Sequence, residues 1–190
     1  MEQLVTTTVE LRRFGHEDLP AIRQTLLDVH ADAYAADMTD FDERFPWFVD
    51  HWGGHPGFAC VIGYDSNEPV GFAYGAPATA GREWWREHLS EPPADDSTFS
   101  FSELMVRPAW RKTGTAEQLH EALLSDRPEA LAVLLVDPDH PKVEALYEAW
   151  GYRRIGRRQP FPDSPNFAVM LRELGPHSPA SGAGPARRQE

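Results

Sequence analysis

One cysteine, Cys60, stands among 190 residues. A lone cysteine excludes an intramolecular disulfide and a thiolate zinc site, both of which need further sulfurs. Long apolar runs are missing as well. No window approaches the roughly 18 consecutive apolar residues of a membrane-spanning helix. Met1 to Glu10 has no basic segment ahead of an apolar core, so no signal peptide is expected and the expected compartment is the cytoplasm. Basic residues are scarce in one part of the chain. Residues 24–81 carry nine acids and one base, Arg44, a net of −8. Residues 99–174 hold eleven acids and ten bases, with the bases grouped as Arg107, Arg111 and Lys112 and as Arg153, Arg154, Arg157 and Arg158. A total of −12 repels phosphate backbones and speaks against nonspecific nucleic-acid binding. The same field attracts a cationic small molecule or a basic peptide, or serves solubility alone.

What is present suits a folded chain. The hydrophobic share is 41% before the 14 glycines are added, which excludes disorder as the main state. Residues 175–190 lack any large apolar side chain, and eleven of those 16 are Gly, Pro, Ser or Ala. Such a segment buries too little to offset its ordering entropy, so a disordered tail is expected there. The expected organisation is a flexible N-terminus over 1–7, one domain over 8–174, and the tail.

Within the domain, strand-like and helix-like periods alternate. Thr8 to Phe14 reads as a strand. His16-Glu17-Asp18 opens a helix with Ile22, Leu26 and Val29 on one face. A second helix covers Phe41 to His51 and stops at Gly53-Gly54. Phe58 to Tyr64 and Val70 to Ala76 form a hairpin about Asp65 to Pro69, and a long polar connection, 79–98, follows with Trp84-Trp85. Phe99 to Val106 is a strand, Gly114 to Ser125 a helix, Leu131 to Val136 a strand covered on both faces, and Pro141 to Trp150 a helix. Tyr152 to Arg157 and Phe167 to Leu174 complete a mixed α/β sheet with helices on both faces.

The chemistry concentrates where the strand ending at Val106 turns into the helix at Gly114. Arg111-Lys112-Thr113-Gly114-Thr115-Ala116 can act as an anion cradle. Unpaired N–H groups at a helix start point outward, the dipole favours negative charge, and glycine lets a phosphate approach the backbone. By itself this is a weak motif, since most such glycines only make a turn.

Two ordered motifs sharpen it. Arg111, Gly114 and Ala116, preceded by Val106 and Pro108, resemble the Arg/Gln-x-x-Gly-x-Gly/Ala signature of the GNAT superfamily of acetyl-CoA-dependent acyltransferases. Downstream, His140-Pro-Lys-Val-Glu-Ala-Leu-Tyr147-Glu-Ala-Trp-Gly151-Tyr152 resembles the family's Asn-x-x-Ala-x-x-x-Tyr-x-x-x-Gly-Phe/Tyr, with His140 in place of Asn. The resemblance covers roughly residues 8 to 174. It is nearest to small actinobacterial-type members with a Trp-Trp connection and a segment such as Pro162 to Pro165. It implies the GNAT α/β fold, a mostly antiparallel central sheet whose fourth and fifth strands splay apart. It further implies that the backbone of Arg111, Lys112, Thr113, Gly114, Thr115 and Ala116 holds the pyrophosphate of acetyl-CoA. The pantetheine arm would lie between strands 99–106 and 131–136, along the backbone of Leu104, Met105 and Val106. His140 would stand beside that arm, and Lys142 and Arg111 would neutralise outer phosphates. No metal is implied.

Transfer to an amine needs a proton acceptor, donors for the developing oxyanion, and a proton for the departing thiolate. Glu103 is the candidate base or acceptor-binding group. On a regular strand it shares a face with Phe99, Phe101 and Met105, and apolar neighbours raise a carboxyl pKa. A salt-bridged or solvated glutamate is the plainer reading. Tyr147 is the candidate acid under the second motif. On pattern alone it is core, because Val143, Leu146, Tyr147 and Trp150 fall at helical spacing. Trp47, Trp52, Trp84 and Trp85 among acids can cage an ammonium, or can be core or a dimer surface. His51 and His55 are a poor metal pair, since Gly53-Gly54 interrupts the helix, and Cys60 reads as a small buried hydrophobe. The expected activity is N-acetylation of a cationic small-molecule amine by direct attack in a ternary complex. A protein or peptide amine, a homodimer through the last two strands, and a non-catalytic acyl-CoA sensor remain open.

Overall fold

The computed structural model describes residues 8–175, so the expectations for 1–7 and for the tail past Gly175 lie outside the described residues. Seven strands form one sheet: β1 Glu10–Gly15, β2 Ala59–Asp65, β3 Glu68–Pro77, β4 Thr98–Val106, β5 Leu131–Val136, β6 Arg153–Arg158 and β7 Phe167–Glu173. Their spatial order is β1-β2-β3-β4-β5-β7-β6, antiparallel throughout except for the parallel β4–β5 pair. Four helices accompany it: α1 Leu19–Ala33, α2 Phe45–Gly53, α3 Thr115–Leu124 and α4 Pro141–Ala149. Every expected element is found, most within two residues of the expected ends, because each carries a clear period and a Gly, Pro or Asp stop. The β2–β3 hairpin is tighter than expected. Asp65 pairs with Glu68, and Ser66 and Asn67 both take left-handed φ, 50° and 68°, a primed turn whose twist matches the strands.

Side-chain alternation sorts the core into two layers. Ile62, Phe72, Tyr74 and Met105 point to one face, where Ile22, Leu26 and Val29 of α1 and Phe45 and Val49 of α2 cover them. Val61, Ala73, Phe99, Leu134 and Met170 point to the other face, beneath Leu119 and Leu123 of α3 and Tyr147 of α4. On the first face, the β5–β7 half is covered by the long connection instead of a helix. Trp85 is fully buried there against Leu131, Val133, Val169 and Leu171. Its indole Nε1 donates to Thr98 Oγ1 at 2.8 Å, which satisfies the buried N–H.

Strands β4 and β5 pair only from Thr98–Leu131 to Ser100–Val133. Beyond that point they diverge, and the V between Phe101–Val106 and Leu134–Val136 is the structural origin of the site.

Candidate active site

The V opens into a cleft of about 2000 Å³. Arg111 and Ala116, the acids Asp37, Asp40 and Asp42, the rings of Trp47, Trp52 and Trp84, and Ser100 to Val106 of β4 all line it. Gly114 caps α3 with φ 83°, a left-handed conformation that glycine adopts freely, and a Cβ there would meet nothing within 4 Å. The first helical bond of α3 runs from Gln118 N to Gly114 O, so the amides of Thr115, Ala116 and Glu117 are not consumed by the helix. Thr113 Oγ1 and Thr115 Oγ1 lie 2.7 Å apart and tie the loop to the first turn. The Arg111 side chain turns back, and Nη2 donates to the Ala33 carbonyl at 2.9 Å at the end of α1. Lys112, also at positive φ, and Lys142 do not line the cleft.

The β4 lining is set by hydrogen-bond alternation. Arg107 N donates to Val70 O at 2.8 Å. Counting back along the strand, Met105 and Glu103 also face β3, while the amides of Leu104 and Val106 point into the gap. Leu104 and Val106 therefore offer free donors, whereas Met105, expected beside them, spends its amide on β3. Those two amides and the open helix start fit an elongated ligand with a phosphate end and a strand-like arm.

Glu103 does not lie where a regular strand would put it. Tyr74 pairs with Glu103, and the next residue, Gly75, pairs with Phe101, so Ser102 is an extra residue in a β-bulge. The bulge moves Glu103 to the face of Tyr74 and Met105, opposite Phe99 and Phe101, and into the cleft. Gly75 permits this, since a Cβ there would collide with the Ser100 carbonyl oxygen. Burial pushes the Glu103 carboxyl up to about 8, and the Asp42 carboxylate adds to the rise. Burial and then Glu103 and Tyr34 push the Tyr147 phenol above its ordinary value, so it stays protonated at neutral pH. Tyr147 is held edge-on by Trp150 and Tyr152, at 5.4 and 5.6 Å between centroids. Behind it, His120 Nε2 lies 2.8 Å from the Tyr152 hydroxyl.

Several expectations change here. Trp85 is core and does not line the cleft, although Trp47, Trp52 and Trp84 do. The pair sits in a turn closed by Arg86 N to Glu83 O at 3.1 Å and His88 N to Trp85 O at 2.9 Å, and the turn seats Trp85 on the sheet while Trp84 packs edge-on to Trp52. Val143 and Leu146, expected as core beside Tyr147, are exposed and line the cleft. Nothing in the sequence marks Tyr34, which sits in the turn after α1. It lines the cleft beside Glu103, stacked on His30 at 4.7 Å. His140 starts α4 and lines the cleft, with Nε2 4.0 Å from Asp137. His51 stacks on Trp47, His55 Nδ1 accepts from Gly57 N, and no metal-binding cluster occurs among the described residues. Cys60 is buried, and burial pushes its thiol up. No described helix is long and apolar enough to cross a membrane.

Residues 20–152 match the acetyltransferase (GNAT) family, and the chain belongs to that family of enzymes, which take their acetyl group from acetyl-CoA. Among solved structures, a GNAT-family protein from Desulfovibrio desulfuricans superposes with a TM-score of 0.64 at 16% identity, covering 88% of this chain and 100% of that one. An aminoglycoside 6'-acetyltransferase type Ii gives 0.62 at 19%, covering 88% and 99%. The PaiA N-acetyltransferase from Thermoplasma acidophilum, solved with coenzyme A, gives 0.53 at 10%, covering 87% and 99%. At such identities the likeness is one of fold. A search of the curated proteins returned no match.

Proposed function

We propose that the chain acetylates a primary amine of a cationic small molecule, by direct attack on the thioester of acetyl-CoA while both are bound. The observation that carries this reading is one continuous cleft whose lining holds Glu103 and Tyr147, Ala116 of the open start of α3, and a group of acids and aromatics. The acids Asp37, Asp40 and Asp42 favour an ammonium, and the rings of Trp47, Trp52 and Trp84 give its carbon skeleton apolar surface.

In this reading the amides of Thr115, Ala116 and Glu117 bind the pyrophosphate, and those of Leu104 and Val106 receive the arm. The bound thioester supplies an acyl carbon already activated for attack. Glu103, ionised, takes the ammonium proton and leaves a nitrogen lone pair free to bond to that carbon. A strand N–H faces the carbonyl oxygen as charge develops on it. Tyr147 donates its proton to the sulfur as the C–S bond breaks, the second proton shed by the nitrogen as the amide forms returns to Tyr147 through water, and Glu103 releases the first to solvent. No side chain becomes acylated, in keeping with the buried, protonated Cys60.

Thiol release from acetyl-CoA is the test, run across polyamines, aminoglycosides, amino acids and basic peptides with calorimetry of CoA binding alongside. Release with small cationic amines is the expected result. Tight CoA binding with no release from any amine would instead favour a sensor of acyl-CoA.

A further inference from the structure

Two segments distant in sequence meet over the acceptor end of the cleft. One runs from Phe41 to Phe48 and includes the first turn of α2. The other is the β6–β7 connection, residues 159–166. Phe161 of that connection packs on Phe48 at 5.7 Å and Phe41 at 6.2 Å, and stands edge-on to Trp47 at 6.3 Å between centroids. The Arg44 guanidinium lies over the rings of Phe41, Phe161 and Phe48 at 5.1, 5.3 and 5.9 Å. Its Nη2 donates to Asp163 Oδ1 at 2.7 Å across 119 residues of chain. Arg44 Nε is buried without a hydrogen-bond partner, so the ring cage and Asp163 hold the side chain. The connection has its own internal bracing. The Ser164 hydroxyl lies 2.9 and 3.0 Å from the Phe161 and Pro165 carbonyls, and Gln159 Nε2 donates to the Ser164 carbonyl at 2.9 Å.

Helix α2 stands on the β1–β4 half of the sheet, whereas the connection springs from β6 and β7 beyond the splay. Their junction therefore spans the V. Phe41, Phe48, Phe161 and Asp163 all line the cleft, which makes the junction part of its wall. We infer that Arg44, Asp163 and Phe161 form a bridge that sets acceptor size, admitting a free small amine to Glu103 and excluding an amine carried within a polypeptide. This rests on the amine-acetylation reading above. A groove for a polypeptide must be open at both sides so that the chain can run through. Here aromatic packing and an ion pair close one side, and Asp37, Asp40 and Asp42 line the same cleft.

Deuterium exchange reads the bridge without reference to activity. It is measured over windows 39–48 and 159–167 in the native protein, Phe161→Ala and Arg44→Gln. Both windows are expected to exchange about tenfold faster in either variant, because each side holds the other. A rise confined to the mutated window, or no rise, overturns the bridge. Acceptor size is read by kcat/KM for a short alkyl diamine against an arginine-rich peptide whose only amine is one internal lysine. The native protein is expected to prefer the diamine by at least about tenfold, and the variants to narrow that ratio to about threefold. Equal use of both by the native protein overturns the size rule, as does a ratio that stays fixed when both windows loosen. A native protein that binds acetyl-CoA and acetylates no amine overturns the amine reading and the size rule with it, while the exchange data still decide the bridge.

Discussion

Glu103 faces Tyr74 across the β3–β4 ladder, and one residue later the register slips so that Gly75 meets Phe101. That slip turns the Glu103 carboxyl into the cleft. Because the slip brings the Ser100 carbonyl oxygen into the space a Cβ on Gly75 would need, Gly75→Ala is expected to cost about 3 kcal/mol of stability. Urea unfolding reads that cost. Activity should fall further than the unfolded fraction explains, since a straightened strand would bury Glu103 on the wrong face. Equal losses in both would separate Glu103 placement from the bulge.

The raised Glu103 carboxyl makes two pH predictions. Folded, it loses its proton near pH 8, against 4.5 ordinarily. Between those values the native state holds a proton that the unfolded chain has released, so this group's contribution to stability falls as pH rises from about 4.5 to about 8 and is level above. Glu103→Gln removes that dependence, and its stability relative to the native protein should grow over the same window in thermal melts at stepped pH. In kinetics the ionised form is the base. With an acceptor of much higher pKa, kcat/KM should climb through about pH 8 and lose that limb in Glu103→Gln. A limb that survives the substitution belongs to another group.

Tyr147→Phe keeps the ring between Trp150 and Tyr152 and removes only the hydroxyl. The kcat for CoA release is expected to fall roughly 10²-fold or more, the usual worth of a positioned acid. Affinity for CoA by calorimetry should change by less than about threefold, since the cradle lies on α3 and β4. Parallel loss of both would make Tyr147 a packing residue.

The tryptophans should divide. Trp85→Ala empties a fully buried site and is expected to destabilise by about 3–5 kcal/mol. Trp47→Ala, at 54% exposure, should leave unfolding almost unchanged and raise KM for the amine several-fold. An unchanged KM would remove Trp47 from the acceptor wall.

The sequence by itself determined the elements, the glycine turn into α3 and the second motif. Local period and turn chemistry specify these: Gly114 needs no distant partner to favour a left-handed φ, and Leu131 to Val136 is apolar whatever covers it. It also named Glu103 and Tyr147, through the motifs around them. Three things needed the tertiary structure. The face of Glu103 depends on a one-residue slip against β3, which no pattern within β4 encodes. The fate of Trp85 depends on a connection folding over β5 and β7, and adjacent tryptophans look alike until one is buried. Arg44 and Asp163 sit 119 residues apart, and only the splay of β4 from β5 and the return of β7 between β5 and β6 bring them together over the cleft. Local propensity acts over a few residues. Long-range register and the covering of a sheet face are settled by which apolar surfaces remain to be buried once the elements exist.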